Sequence, residues 1–359
     1  MALKRIKALR EKGLTGGKDT LDALLVSSLT NVRYLSGFTG SNAVALISKN
    51  TALLITDSRY TLQARQEAKG FAIRIASNYI EDLALLLKKS KIRRLGFEPL
   101  TVSYEVYRRM KKAFKGTSLV PVKRPVEGLR AVKDKEELAA IRAAIKVAEK
   151  GYAHVEGTGA VGRAERDVSL GIERVVKDLG ADAMSFETIV ASGKRSAMPH
   201  GTATGKKIAR HEFVIVDMGV SLGGYKSDET RTYVTGKPTG RQREIYSIVK
   251  DAHDKAIDVV REGSLASEVD RAARAYIEKK GFGSYFGHGT GHGVGLDIHE
   301  DPSVGPKSKT VLKQGMVITV EPGIYIPGFG GVRIEDMVLV GKHGPEVLTE
   351  GKKELKTLR

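Results

Sequence analysis

The sequence predicts two domains: an α/β domain over residues 1–125, then, over residues 126–359, an α+β domain built around antiparallel hairpins. Three observations carry this. Lysine and arginine outnumber acids 24 to 9 in residues 1–125 but only 36 to 33 in residues 126–359, so the composition changes along the chain. The two prolines of VPVKRPVEG (120–128) fall where the asymmetry ends. Short apolar runs alternate with helical stretches before that point, and Val/Thr/Tyr-rich runs folded about glycines follow it.

In the first domain the runs ALLVSS, AVALIS, ALLITD and RRLGFEP read as strands, separated by helical stretches such as SRYTLQARQEA and YIEDLALLLKKS. The second domain opens on KDKEELAAIRAAIKVAEKGYAHV, a helix by period. Asp134 and Glu137 form a capping box at its start, and Leu138, Ile141, Ile145 and Ala148 share one face.

Two hairpins follow. EFVIVDMGVSLGGYKSDETRTYVT (212–235), reversing between Leu222 and Gly223, sets Asp217 opposite Asp228. MVITVEPGIYIPGFGGVRIEDMVLV (316–340), reversing about Gly328, sets Glu321 opposite Glu335. Acids are disfavoured in apolar strands, and like charges directly opposite repel. Four carboxylates in a half-buried site therefore need cations. The stretch FGHGTGHGVGLDIHEDP (286–302) adds His288, His292 and His299 among five glycines. One imidazole joins the cage as a ligand, and the others flank the reacting group. This donor set suits two divalent ions, Mn²⁺, Co²⁺, Fe²⁺ or Zn²⁺, about 3.5 to 4 Å apart.

Composition excludes other chemistry. There is no cysteine, so thiolate nucleophiles, disulfides and cysteine-held zinc are out. No apolar stretch approaches the roughly 20 residues of a membrane helix, and the opening MALKRIKALREKG lacks a signal's apolar run. A cytoplasmic protein without membrane association is expected. The basic runs KKSKIRR (88–94) and YRRMKKAFK (107–115) read as solvated faces and turns, which makes nucleic acid an unlikely partner. A non-enzymatic adaptor binding a polyanion through this third is the contrasting reading. The glycine-rich run matches no phosphate-loop register.

The series VDMG, SDETRT, HGTGHGVGLDIHE, TVEPG and VRIED resembles the pita-bread (creatinase-like) metallopeptidases, among them aminopeptidase P, prolidase, methionine aminopeptidase and creatinase. The resemblance spans residues 126–359 and implies a curved, mainly antiparallel sheet. YLSGFTGSNA and TDSRYTLQA are similar to the N-terminal domain of the aminopeptidase P and prolidase branch, which implies a homodimer. It further implies five ligands: Asp228 and Glu335 bridge two ions, Asp217 completes one, and His292 and Glu321 the other. His200, in ASGKRSAMPHG, then contacts the scissile amide, His299 its carbonyl and oxyanion, and His288 the proline-side pocket. Arg333 supports the ligands or binds substrate. A hydroxide shared by the metals attacks the carbonyl, and Glu321 shuttles the proton. The full ligand set argues against metal-free creatine hydrolysis and against inactive binding relatives. The implied activity is a Mn²⁺- or Co²⁺-dependent Xaa-Pro aminopeptidase acting on proline-containing peptides, with Xaa-Pro dipeptidase (prolidase) as the alternative. GFTGS, ASGKRSAMPHG and the lack of large insertions tilt the expectation to the aminopeptidase.

Overall fold

Apolar runs of four to six residues, too short for a helical stripe, become the strands Ala23–Val26, Ala43–Ser48, Ala52–Thr56 and Arg94–Phe97, joined by Ala72–Ile75 and Ser118–Pro121. The computed structural model describes residues 2–14 and 20–359 and divides into two units, Met1–Arg130 and Ala131–Arg359. The boundary read from charge and prolines, near residue 125, and this division differ by the short helix Glu127–Arg130.

The first unit is one six-stranded sheet. Its three central strands, Ala52–Thr56, Ala43–Ser48 and Ala23–Val26, pair antiparallel, and parallel strands flank them. The helix Tyr79–Lys89, capped by the Asn78 side chain, buries Ile80, Leu83 and Leu87, which pack with Leu25, Leu95 and Met110. The basic runs sit on exposed faces, with Ile92, Met110 and Phe114 turned inward.

The second unit begins with the helix Lys135–Thr158. Asp134 accepts from the Glu136 and Glu137 amides, and the Glu137 carboxylate reaches back to the Asp134 amide at 3.0 Å, the expected capping box. Ile141, Ile145 and Ala148 are buried along one face. This helix and Glu165–Asp178 cover a sheet containing Ile189–Ser192, Phe213–Met218 and Glu229–Thr235. Helices Gly240–Val259 and Ala266–Lys279 cover a second sheet with Gly291–Gly293, Val317–Val320 and Asp336–Val340 at its centre. Strand pairing in this unit is antiparallel throughout, save the short strand Thr357–Leu358. This is the mainly antiparallel α+β domain the sequence predicts. No helix among the described residues is long and apolar enough to cross a membrane.

The two sheets meet at one seam. Thr230 and Glu335 form an isolated antiparallel bridge, with the Glu335 amide 3.1 Å from the Thr230 carbonyl. Next to it the Thr232 hydroxyl takes over the ladder's work, accepting from the Arg333 amide at 3.0 Å and donating to its carbonyl at 2.8 Å.

The first hairpin corrects the expected register. Leu222 pairs with Tyr225 and Ser221 with Lys226, so the turn is Gly223–Gly224 rather than a reversal between Leu222 and Gly223. Both glycines have positive φ, 56° and 83°, which a type I′ two-residue hairpin turn requires at both central positions. Asp217 therefore lies opposite Thr230, and the same register sets Asp228 opposite Gly219. The slip is two residues, so both acids stay on one face and meet diagonally. In the second hairpin Gly323 pairs with Arg333 and Val320 with Asp336. Glu321 is thus level with Glu335, as expected.

Gly219 is where this hairpin admits no side chain: a Cβ there would press on the Ser227 carbonyl oxygen and the Ser185 Cβ. Gly219→Ala should cost on the order of 1 to 3 kcal/mol through overpacking, read as a lower urea midpoint at unchanged m-value.

Candidate metal centre

His200, Asp217, Asp228, His288, His292, His299, Glu321, Arg333 and Glu335 all line one cavity of about 460 Å³. They come from elements far apart in sequence, brought together by the seam. Asp217 ends the inner strand of the first hairpin, and Asp228 precedes its return strand. Glu321 and Glu335 flank the second hairpin, and His292 sits in the neighbouring strand Gly291–Gly293. Asp228, His292 and Glu335 each offer a ligand atom within 4.8 Å of the others.

The His292 ring is oriented for coordination. Its Nδ1 lies 3.1 Å from the Gly293 carbonyl, which places the ring proton there and leaves the Nε2 lone pair free. That Nε2 is 3.5 Å from Asp228 Oδ2 and 3.4 Å from Glu321 Oε1, a spacing that suits donors around a common ion. Asp217 supplies the test of fit. Its Oδ2 accepts from Arg333 Nη2 at 2.5 Å, while its Oδ1 is buried with no hydrogen-bond partner among the described residues. A buried carboxylate oxygen without a donor is costly unless a cation meets it. The donor set, four carboxylates and one imidazole, fits divalent ions.

Electrostatics agree. Burial raises Asp228 well above the usual carboxylate range, and the charges of Asp217 and Glu321 push it further. Burial does the same to Glu335, with Asp228 and Glu321 adding to it. Glu321 is raised chiefly by burial, partly offset by His288 and Arg333. Burial lowers His288, His292 and His299, so their neutral forms dominate at pH 7.

Arg333 is a structural clamp. Its Nη2 holds Asp217, its Nη1 reaches the Pro199 carbonyl at 3.2 Å and the Tyr325 hydroxyl at 2.8 Å, and its Nε meets Thr230 Oγ1 at 3.1 Å. The Tyr325 hydroxyl in turn donates to His288 Nε2 at 2.9 Å, while His288 Nδ1 faces the Gly289 carbonyl at 2.7 Å. Both nitrogens of His288 are thus engaged. His200 and His299 differ: both are exposed to the cavity, and His299 stands edge-on to His292 with ring centroids 4.3 Å apart.

Sequence reasoning missed three supporting hydroxyls. Thr230 Oγ1 donates to Glu335 Oε2 at 2.6 Å. Thr319 Oγ1 accepts from the His292 amide at 3.0 Å and donates to Glu321 Oε1 at 3.1 Å. Tyr325 completes the link from Arg333 to His288. Each shares strand parity with a cavity acid, a signal that narrows the candidates without singling these three out. On the opposite face of the same strands, buried Arg231 ties the hairpins together. Its Nη2 is 2.7 Å from both Glu229 Oε1 and Asp336 Oδ1, and its Nη1 donates to the Glu335 carbonyl.

The chain matches the metallopeptidase family M24 over residues 139–342 and the creatinase/prolidase N-terminal domain over residues 5–132. It is 38% identical to the Xaa-Pro dipeptidase of Pyrococcus furiosus, over 94% of this chain and 96% of that one. Its structure resembles an Xaa-Pro dipeptidase from Bacillus anthracis with a TM-score of 0.96 at 41% identity, covering 100% of both chains. It also resembles an X-Pro aminopeptidase from Thermotoga maritima with a TM-score of 0.89 at 36% identity, covering 94% of this chain and 98% of that one. The chain belongs to metallopeptidase family M24, in its two-domain, pita-bread form. It is a metallo-exopeptidase, and its cofactor is divalent metal.

A pH-dependent stability follows from the carboxylates. A group whose pKa is raised on folding binds more protons folded than unfolded, so its stability contribution is lost as pH rises. Chelated protein should therefore lose thermal stability as pH climbs above the ordinary carboxylate pKa of about 4 toward 8. The metal-loaded protein should not follow it down. Calorimetry of the two forms across this range is the check; parallel curves would refute the cage.

Proposed function

We propose that the chain is a two-metal Xaa-Pro dipeptidase, releasing an N-terminal residue from proline. The observation that carries this is the convergence of five donors and two unoccupied histidine rings on one cavity. In this reading two divalent ions would be held by Asp217, Asp228, His292, Glu321 and Glu335, with Asp228 and Glu335 as the ligands common to both. Mn²⁺ or Co²⁺ is favoured, with Zn²⁺ or Fe²⁺ as alternatives, because the donors are oxygen with one imidazole. When bound, the ions supply Lewis acidity to the scissile carbonyl and acidify a water.

The chain's own residues do the rest. Arg333 fixes the Asp217 carboxylate and so its free Oδ1, while Thr230 and Thr319 fix Glu335 and Glu321. Glu321 takes a proton from the attacking water and passes it to the leaving proline nitrogen. Neither His200 nor His299 is hydrogen-bonded to another described residue, so both rings are free to donate: His200 at the scissile amide, His299 at the carbonyl oxygen as charge grows there. His288, held by Tyr325, borders the proline side. Proline lacks an amide N–H, so a site for it needs no acceptor at that nitrogen. The first domain's likeness to the prolidase branch supports a homodimer.

The relatives' names favour dipeptides over the longer peptides that the sequence motifs suggest; the likeness to the Thermotoga maritima aminopeptidase keeps the second reading in play. Leu-Pro and Leu-Pro-Gly, assayed with each metal, separate them. The expected result is dipeptide cleavage with Mn²⁺ or Co²⁺, abolished by chelation and restored by metal; preference for the tripeptide would favour the aminopeptidase.

The histidines should divide by role. His292→Ala should lower metal content, since it removes a ligand. His200→Ala and His299→Ala should keep their metal and lose roughly 10²- to 10³-fold in kcat. Metal analysis beside steady-state kinetics decides it, and the reverse pattern would show that ligand and hydrogen-bond donor have been exchanged.

A further inference from the structure

One acid on the cavity wall has no part in the cage. Glu187 lines the cavity and is exposed to it, and it makes no hydrogen bond or ion pair with any described residue. Ile189 pairs with Asp217, and Glu187 lies two residues before it, in the loop that joins Ala183–Met184 to the strand Ile189–Ser192. Ahead of it the pairing shifts by two residues: Met184 pairs with Val220, and Ser185 donates its amide to the Gly219 carbonyl at 2.8 Å.

The rest of the wall gives this charge its meaning. Among the described residues the sole lysine or arginine lining the cavity is Arg333, and each of its nitrogens is already taken by Asp217, Tyr325, Pro199 or Thr230. Glu187 is therefore an uncompensated negative charge at the Asp217 end, bordered by apolar Phe186 and Ile189. An exopeptidase holds its substrate's α-ammonium near carboxylates, which brings the side chain of the N-terminal residue to this same wall. A long aliphatic stem ending in a cation matches it, stem on the apolar side chains and tip on the acid.

We propose that Glu187 sets substrate preference, selecting peptides whose N-terminal residue is lysine or arginine before proline. This rests on the Xaa-Pro exopeptidase reading above. An ion pair in partly open surroundings discriminates only modestly, by about fivefold, and is screened by salt.

The experiment compares kcat/KM for Lys-Pro, Leu-Pro and Glu-Pro on metal-loaded wild type, Glu187→Gln and Glu187→Lys. Each ratio is taken on one preparation, so any loss of folded protein cancels. Wild type should prefer Lys-Pro to Glu-Pro, and this preference should shrink as salt rises from about 0.02 to 0.5 M. Glu187→Gln should lower the Lys-Pro to Leu-Pro ratio about fivefold, and Glu187→Lys should reverse the order of Lys-Pro and Glu-Pro. Ratios unchanged in both variants, with Leu-Pro still cleaved, would overturn the role of Glu187 alone. A wild type that cleaves none of the three, nor their Xaa-Pro-Gly extensions, with Mn²⁺ or Co²⁺ would overturn the peptidase reading and this inference with it.

Discussion

Four carboxylates buried within one cavity set the terms for the second unit. Asp217, Asp228, Glu321 and Glu335 repel one another, and burial removes the water that would screen them. Such a group persists only if countercharge arrives and if the backbone is stiff enough to hold it meanwhile. The stiffness comes from antiparallel strand pairing on either side of the acids, and from hydroxyls and a guanidinium that fix individual carboxylate oxygens. Asp217 shows the division of labour most clearly: one oxygen is clamped by Arg333 and the other is left bare.

The same strands carry charge on both faces. Asp228 and Glu335 point to the cavity, and their neighbours Glu229 and Asp336 point away to Arg231. Arg231 also donates to the Glu335 carbonyl, so the rear cluster fixes the backbone from which a cavity acid projects. Thr230 and Thr232 stitch the seam between the two. Removing the rear cation would leave buried Glu229 without its ion pair, a larger penalty than losing a surface pair, while Asp336 would keep Lys353.

Much of this was legible in the sequence. Acids are rare in Val/Ile-rich strands, so their pairing about a glycine turn stood out, and the helix cap at Asp134 was plain from its four-residue pattern. The hairpin about Gly328 was read in its true register because a single loop fits it. The hairpin at Gly223–Gly224 was misplaced by two residues because alternation fixes which face a side chain takes, not which partner it meets. Periodicity did not mark Thr230, Thr319 and Tyr325 as partners because hydroxyls are ordinary in strands; only the third dimension joins them to a carboxylate. Substrate length was illegible for a related reason, since it depends on what closes the far end of the cavity.

The seam at Thr230 and Glu335 has a bearing on how the protein matures. The donors span residues 217 to 335, and no single hairpin holds enough of them to retain an ion. A competent site exists only once both sheets have docked, so contacts distant in sequence must close first, which slows assembly. Metal affinity is then coupled to the docking of the two sheets, since the full donor set exists only in the docked state.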